Sequence, residues 1–257
     1  MKRLLLALLI SPTLALAASS FDGTWVADLG ASKLPDRPDS HVLTQGWYDC
    51  QSCVPPIRVK ADGTDQTVKG HEYFDSIAVQ VIDPHAVKVT SKKDGKVTYV
   101  ESYIISADGN SLTDTWEDQT ESKPVTGKTL STRTAPTPAG AHALSGSWKM
   151  TKLESVSNNG ATVTLHVTDK GVSVKDGNGV GYDAQFDGKE YPIAGDLEKT
   201  LVTVKRIDDH TFEESEKRAG KVSSFARVSV SGDGKTLHWA MEDRNTGMKQ
   251  GFTLHKQ

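Results

Sequence analysis

The sequence is poor in the features that most directly announce a function. It has two cysteines in 257 residues, Cys50 and Cys53, too few for an all-cysteine metal site. Residue 54 is Val, so the His that follows a haem-attachment Cys-x-x-Cys is missing. A Gly-x-Ser-x-Gly nucleophile elbow, a phosphate loop and a His-Glu-x-x-His pair are all absent. Basic residues do not cluster beyond the first three positions and the formal net charge is −3, which argues against nucleic acid as a partner. No stretch of ten or more residues carries a helical period. Beyond the N-terminus, no apolar run approaches the ~20 residues of a membrane-spanning helix.

What is present begins with an export pattern. Lys2 and Arg3 precede the apolar Leu4–Ile10, and Ala15-Leu16-Ala17 forms a small-x-small site before Ala18. Residues 1–17 are expected to be a signal peptide. No Cys follows the cleavage site, so a lipid anchor is not expected. The mature chain is expected to be soluble and periplasmic or secreted.

The chain then repeats itself. Gly95-Lys96-Val97 recurs as Gly220-Lys221-Val222, 125 positions later, and Asp108-Gly109 recurs as Asp233-Gly234 at the same spacing. Asp62-Gly63, Gly70, Ile82-Asp83-x-His85 and Glu117-Asp118 keep that spacing to Asp187-Gly188, Gly195, Ile207-Asp208-x-His210 and Glu242-Asp243. A period this long signals duplication of a domain rather than a solenoid. Domain 1 is expected at residues 21–134, a Pro- and Ala-rich linker at 135–143, and domain 2 at 144–257. Alternating strands separated by Asp-Gly and Asn-Asn-Gly turns fill each copy. A meander of eight or nine such strands removes its edges by closing. The fold expected is therefore all-β, two tandem antiparallel up-and-down barrels.

Gly23-Thr24-Trp25 and Gly146-Ser147-Trp148 resemble the Gly-x-Trp that opens lipocalin and wider calycin barrels. The Asp-Gly-Lys-Val texture is also similar to that of a family of secreted tandem bacterial proteins. The resemblance implies a lipocalin-like barrel, closed at one end by Trp25 or Trp148. It implies an Arg from a late strand across the Trp, a place held by Arg133 in copy 1 and by Gln257 in copy 2. It implies at most a ligand class, not an enzyme.

Four groups of residues are candidates for chemistry. Cys50 and Cys53, alone in an exported chain, are expected to form a structural disulfide; Pro55-Pro56 follows them, not the helix that a redox motif wants. His85 and His210 sit in equivalent turns and are expected to serve those turns. Glu117-Asp118, Glu242-Asp243 and Glu213-Glu214 place neighbouring side chains on opposite faces of a strand, and read as solvated. In the repeated strand, the alternate positions Val97, Tyr99, Glu101, Tyr103 and Ile105 match Val222, Ser224, Ala226, Val228 and Val230. The second set is small and mostly apolar, which marks an inner face. The next strand sets Leu112, Asp114 and Trp116 against Leu237, Trp239 and Met241.

Tyr99, Glu101, Tyr103, Asp114 and Trp116 are thus the expected ligand-binding residues, aromatic walls with carboxylates that orient a polar or cationic group. The function expected is non-catalytic binding of a small, mainly apolar molecule outside the cytoplasm, without metal or cofactor. An envelope scaffold with filled barrels is the alternative, and a Cys-x-x-Cys redox protein the third.

Overall fold

A computed structural model describes residues 19–257; the expected signal peptide lies outside the described residues. In the first half the strands are β1 (Gly23–Lys33), β2 (Asp39–Thr44), β3 (Trp47–Cys50), β4 (Ile57–Lys60), β5 (Gln66–Thr67), β6 (Ser76–Asp83), β7 (Ala86–Lys93), β8 (Lys96–Ile105), β9 (Ser111–Asp118) and β10 (Val125–Ala135). Then follow β11 (Gly146–Val156), the single helical turn α1 (Asn158–Ala161), β12 (Thr162–Val167), β13 (Gly171–Asp176), β14 (Gly181–Gln185) and β15 (Tyr191–Pro192). The chain ends with β16 (Leu201–Asp208), β17 (Thr211–Arg218), β18 (Lys221–Val230), β19 (Thr236–Asp243) and β20 (Lys249–Lys256).

These strands form two antiparallel ten-stranded sheets, each curled into a nearly closed barrel. Alternation drives the curl: Ile77 and Val79, Val87 and Val89, and Val202 and Val204 all point inward and are buried. Each such side chain contributes ~1.5–3 kcal/mol on leaving water. The free edges nearly meet, through single bridges from Asp62 to Gln80 in one barrel and from Gly181 to Ala194 in the other.

The barrels are not the contiguous halves 21–134 and 144–257. β1 pairs with β12 and β20, whereas β11 pairs with β10 and β2. Each barrel thus takes its opening strand from the other repeat. Barrel 1 is β11 with β2–β10; barrel 2 is β1 with β12–β20. Residues 136–145 therefore do not space two domains apart. They join neighbouring strands of one barrel, and Leu144 is fully buried there. The chain passes between barrels at 34–38 and again around α1.

Each opening Trp is wholly buried and donates its indole N–H to a carbonyl four residues earlier: Trp25 to Phe21 and Trp148 to Leu144, both at 2.8 Å. Arg133 does lie over a Trp, 4.0 Å from the ring centre, but the ring is that of Trp148, its neighbour in register. The counterpart over Trp25 is Lys256, with Nζ 5.0 Å from the ring, and not Gln257. Ser131, not Leu130, stands opposite Leu112 as Leu254 stands opposite Leu237, so Arg133 matches Lys256, one residue from the place the sequence spacing suggests. A second correction concerns Val97 and Val222. A bulge in each copy turns Thr98 and Ser223 inward instead, and Val222 is exposed.

Candidate functional site

The inner face of barrel 1 is the one that the strand alternation indicates. β8 and β9 pair so that Tyr103 stands opposite Asp114 and Glu101 opposite Trp116. Tyr99, Glu101 and Tyr103 line a cavity of about 590 Å³, within the usual range for a small-molecule site. Asp114 and Trp116 share the face but do not line the cavity. Trp116 lies flat against Tyr99, ring centres 6.1 Å apart, and crosses Gly127 on β10, where a Cβ would meet its ring at 2.2 Å.

Three further groups complete the interior. Asp39 and His41 on β2 and Tyr48 on β3 line the same cavity. The Tyr48 hydroxyl and His41 Nδ1 share a hydrogen bond of 2.9 Å, and the imidazole packs against both Tyr48 and Tyr103. The other ring nitrogen of His41 has no hydrogen-bond partner among the described residues, although the side chain is only 5% exposed. The β2–β3 alternation, with residues 39, 41 and 43 on one face, was the signal that could have found them.

Burial sets the protonation of this interior. Glu101 lies deep beneath the molecular surface, and what accessibility it retains faces the cavity. Burial pushes its carboxyl up to about 7, against a hydrogen bond from Tyr103 and with help from the nearby Asp39. Asp114 is pushed up to about 8, first by burial and then by Glu101 and Asp39. One of its oxygens, Oδ1, is buried without a partner. Burial also raises Asp39 and lowers His41 to about 4, so the imidazole is neutral at pH 7.

Register gives each of these positions a counterpart in barrel 2. Trp148 faces Asp39 where Trp25 faces Val163, and Gly146 faces His41 where Gly23 faces Leu165. Tyr48 corresponds to Val172, Glu101 to Ala226 and Asp114 to Trp239. The second interior is apolar at these five positions, but it carries acids elsewhere, Glu214 and Glu216. Glu214 is buried in mid-strand, accepts a hydrogen bond from the Tyr182 hydroxyl, and is pushed up to about 7 by burial. The reading of Glu213-Glu214 as solvated is thereby corrected for Glu214.

Cys50 and Cys53 are bonded to each other and form part of the cavity wall. The segment after them is irregular until β4, with no helix to activate a thiol. His85 and His210 donate their backbone N–H groups to Asp83 and Asp208 in exposed turns. Asp118 lines the mouth of the cavity while its Oδ1 accepts from Thr120. Among the described residues no helix is long and apolar enough to cross a membrane. Compared with known proteins, the chain matches no family model and no curated sequence.

Proposed function

We propose that this chain is a lipocalin-like, extracytoplasmic binding protein that holds one small, mainly apolar molecule inside barrel 1 and does no chemistry on it. The observation that carries the reading is the contrast between two copies of one fold. At the matched positions barrel 2 carries Leu165, Val172, Ala226 and Val228, beside a smaller cavity of about 280 Å³; barrel 1 places His41, Tyr48, Glu101 and Tyr103 there, around about 590 Å³. A packed barrel needs none of those polar groups, and burying them costs free energy that a filled core would save. The alternative of a scaffold with both barrels filled draws no support from barrel 1.

The test is native mass spectrometry of protein isolated without denaturant, with uptake of an apolar fluorescent probe in parallel. Bound small molecule, or probe uptake lost in the cavity-filling variant Ser91→Phe, is the expected result. Bare chain together with no uptake would overturn the proposal.

A further inference from the structure

We infer that the molecule held in barrel 1 is an organic cation, a protonated amine on an aromatic or aliphatic body, with its charged end against Glu101 and Asp39. The inference rests on the binding reading above and names the ligand class for the same site. It starts from charge. Among the described residues the cavity wall carries five carboxyl groups, Asp39, Glu101, Asp118, Glu121 and Asp196, and neither Lys nor Arg. His41 does not compensate, because burial keeps it neutral. Arg218, which stacks on the lining residue Tyr73, is occupied: it pairs with Glu72 and Glu216.

The walls suit a cation as well as the acids do. Tyr48, Tyr73, Phe74, Tyr99 and Tyr103 present ring faces or edges around the space, and a cation over an aromatic face gains electrostatic energy that an anion loses. A second observation comes from the imidazole. His41 is more than nine-tenths buried in the lining, and among the described residues only its Nδ1 is hydrogen-bonded, to Tyr48. A bare metal ion does not fit, since no three His, Cys, Asp or Glu side chains among the described residues converge to hold one. The acids are spread along an aromatic chamber, which matches a charge on an extended body. Asp39, His41, Tyr48, Glu101 and Tyr103 are not demanded by the fold itself, because barrel 2 has Val163, Leu165, Val172, Ala226 and Val228 at the matched positions; Asp118 is kept in both copies, as Asp243.

Binding is then coupled to protons. The titratable groups facing Glu101 are Asp114 and Asp118 on β9, Asp39 and His41 on β2, Tyr48 on β3, and Tyr99 and Tyr103 on its own strand, while β7 offers only Ser91 and Val89. Burial keeps the inner acids protonated well above the ordinary carboxyl range. A cation entering near neutral pH displaces them, and affinity climbs as pH rises from 5.5 to 8.

The experiment is calorimetric titration with paired probes, phenylalkyl and alkyl amines of increasing size and the alcohols of the same shape. Each pair is run at pH 5.5 and 8 on the wild type, Glu101→Gln and Asp39→Asn. At pH 8 the amine should bind at least tenfold more tightly than its alcohol and release protons into buffer. That preference should shrink severalfold at pH 5.5 and in Glu101→Gln; if the Gln variant fails to fold, Asp39→Asn carries the comparison. Amines and alcohols binding equally would overturn the cation and leave the binding reading standing. No binding of either series would overturn both.

Discussion

Glu101 ties the stability of the fold to pH. A carboxyl held near pH 7 by burial is a stability statement, because the unfolded chain ionises the same group near its ordinary value of 4.5. The folded state binds the extra proton between those limits, so Glu101's contribution is present below about pH 4.5 and is lost as pH rises through about 7. Replacing it by Gln should therefore raise stability at pH 8 by on the order of 2–3 kcal/mol and leave it nearly unchanged at pH 4, as urea titrations at the two pH values will show. His41 acts in the other direction. Its depressed value means a contribution present above pH 6.5 and lost as pH falls through about 4, and a His41→Gln variant should lose the acid sensitivity that this produces. Tyr99, Glu101 and Tyr103 were legible in the sequence because alternation in a long strand fixes which side faces in. Glu214 was not: beside Glu213 it looks solvated, and only the sheet shows that one member of such a mid-strand pair must turn inward. His41 and Tyr48 were missed because their strands are short and differ most from the copy that made the pattern visible.

At the level of strands, two devices hold barrel 1 in shape. Arg133 on β10 donates to the carbonyls of Gly109, Ala143 and Ser145 at 2.5–2.7 Å while stacking on Trp148. Gly146 leaves room for this: its φ is +128°, and a Cβ there would sit 2.6 Å from the guanidinium. That clash gives a physical reason for the glycine of Gly-x-Trp, whose strand the cation must cover. Charge-assisted bonds of this kind contribute about 1.5–3 kcal/mol each at best and are not additive. Arg133→Ala should cost roughly 2–4 kcal/mol in thermal or urea unfolding, and Arg133→Lys should recover part of it, since barrel 2 uses Lys256 in the same place. The other device is the bare β10 surface under Trp116. Gly127→Val should force that ring off its neighbour and cost roughly 1–3 kcal/mol, seen as a lower midpoint and an altered near-ultraviolet spectrum. The motif made the Trp legible, but its partner was misplaced, because Leu130 and Leu254 look equivalent in sequence whereas the register makes Ser131 the counterpart of Leu254.

For the whole molecule, the exchange of β1 and β11 ties the barrels together. Each lacks a strand until the other repeat supplies it, and further links cross between them: Arg218 with Glu72, Lys93 with Glu198, and Asn178 with Glu121. Calorimetry should show one cooperative transition rather than two. A lesion confined to barrel 1, such as Gly127→Val, should weaken hydrogen-exchange protection in β16–β19 of barrel 2 as well; separate melting of the two barrels would contradict the coupling. All-β barrels and their tandem arrangement were legible from the turns and the spacing. The exchange was not, because β1 and β11 carry the same Gly-x-Trp opening and either would satisfy the hydrophobic pattern of either barrel. Which barrel each joins is decided by the connections at 34–38 and 157–161, and a strand pattern does not encode that choice.

The exchange also sets an order of events during synthesis. A chain is made from its N-terminus, and β1 is the first strand to appear, yet its partners are β12 and the final strand β20. Barrel 1 can close once β11 is available, while β1 keeps one edge unpaired until β20 follows. A released chain truncated after residue 161 should show a protease-resistant core within residues 39–156 and a cleavable segment at 23–33. The first of the described strands is the last to gain both of its neighbours.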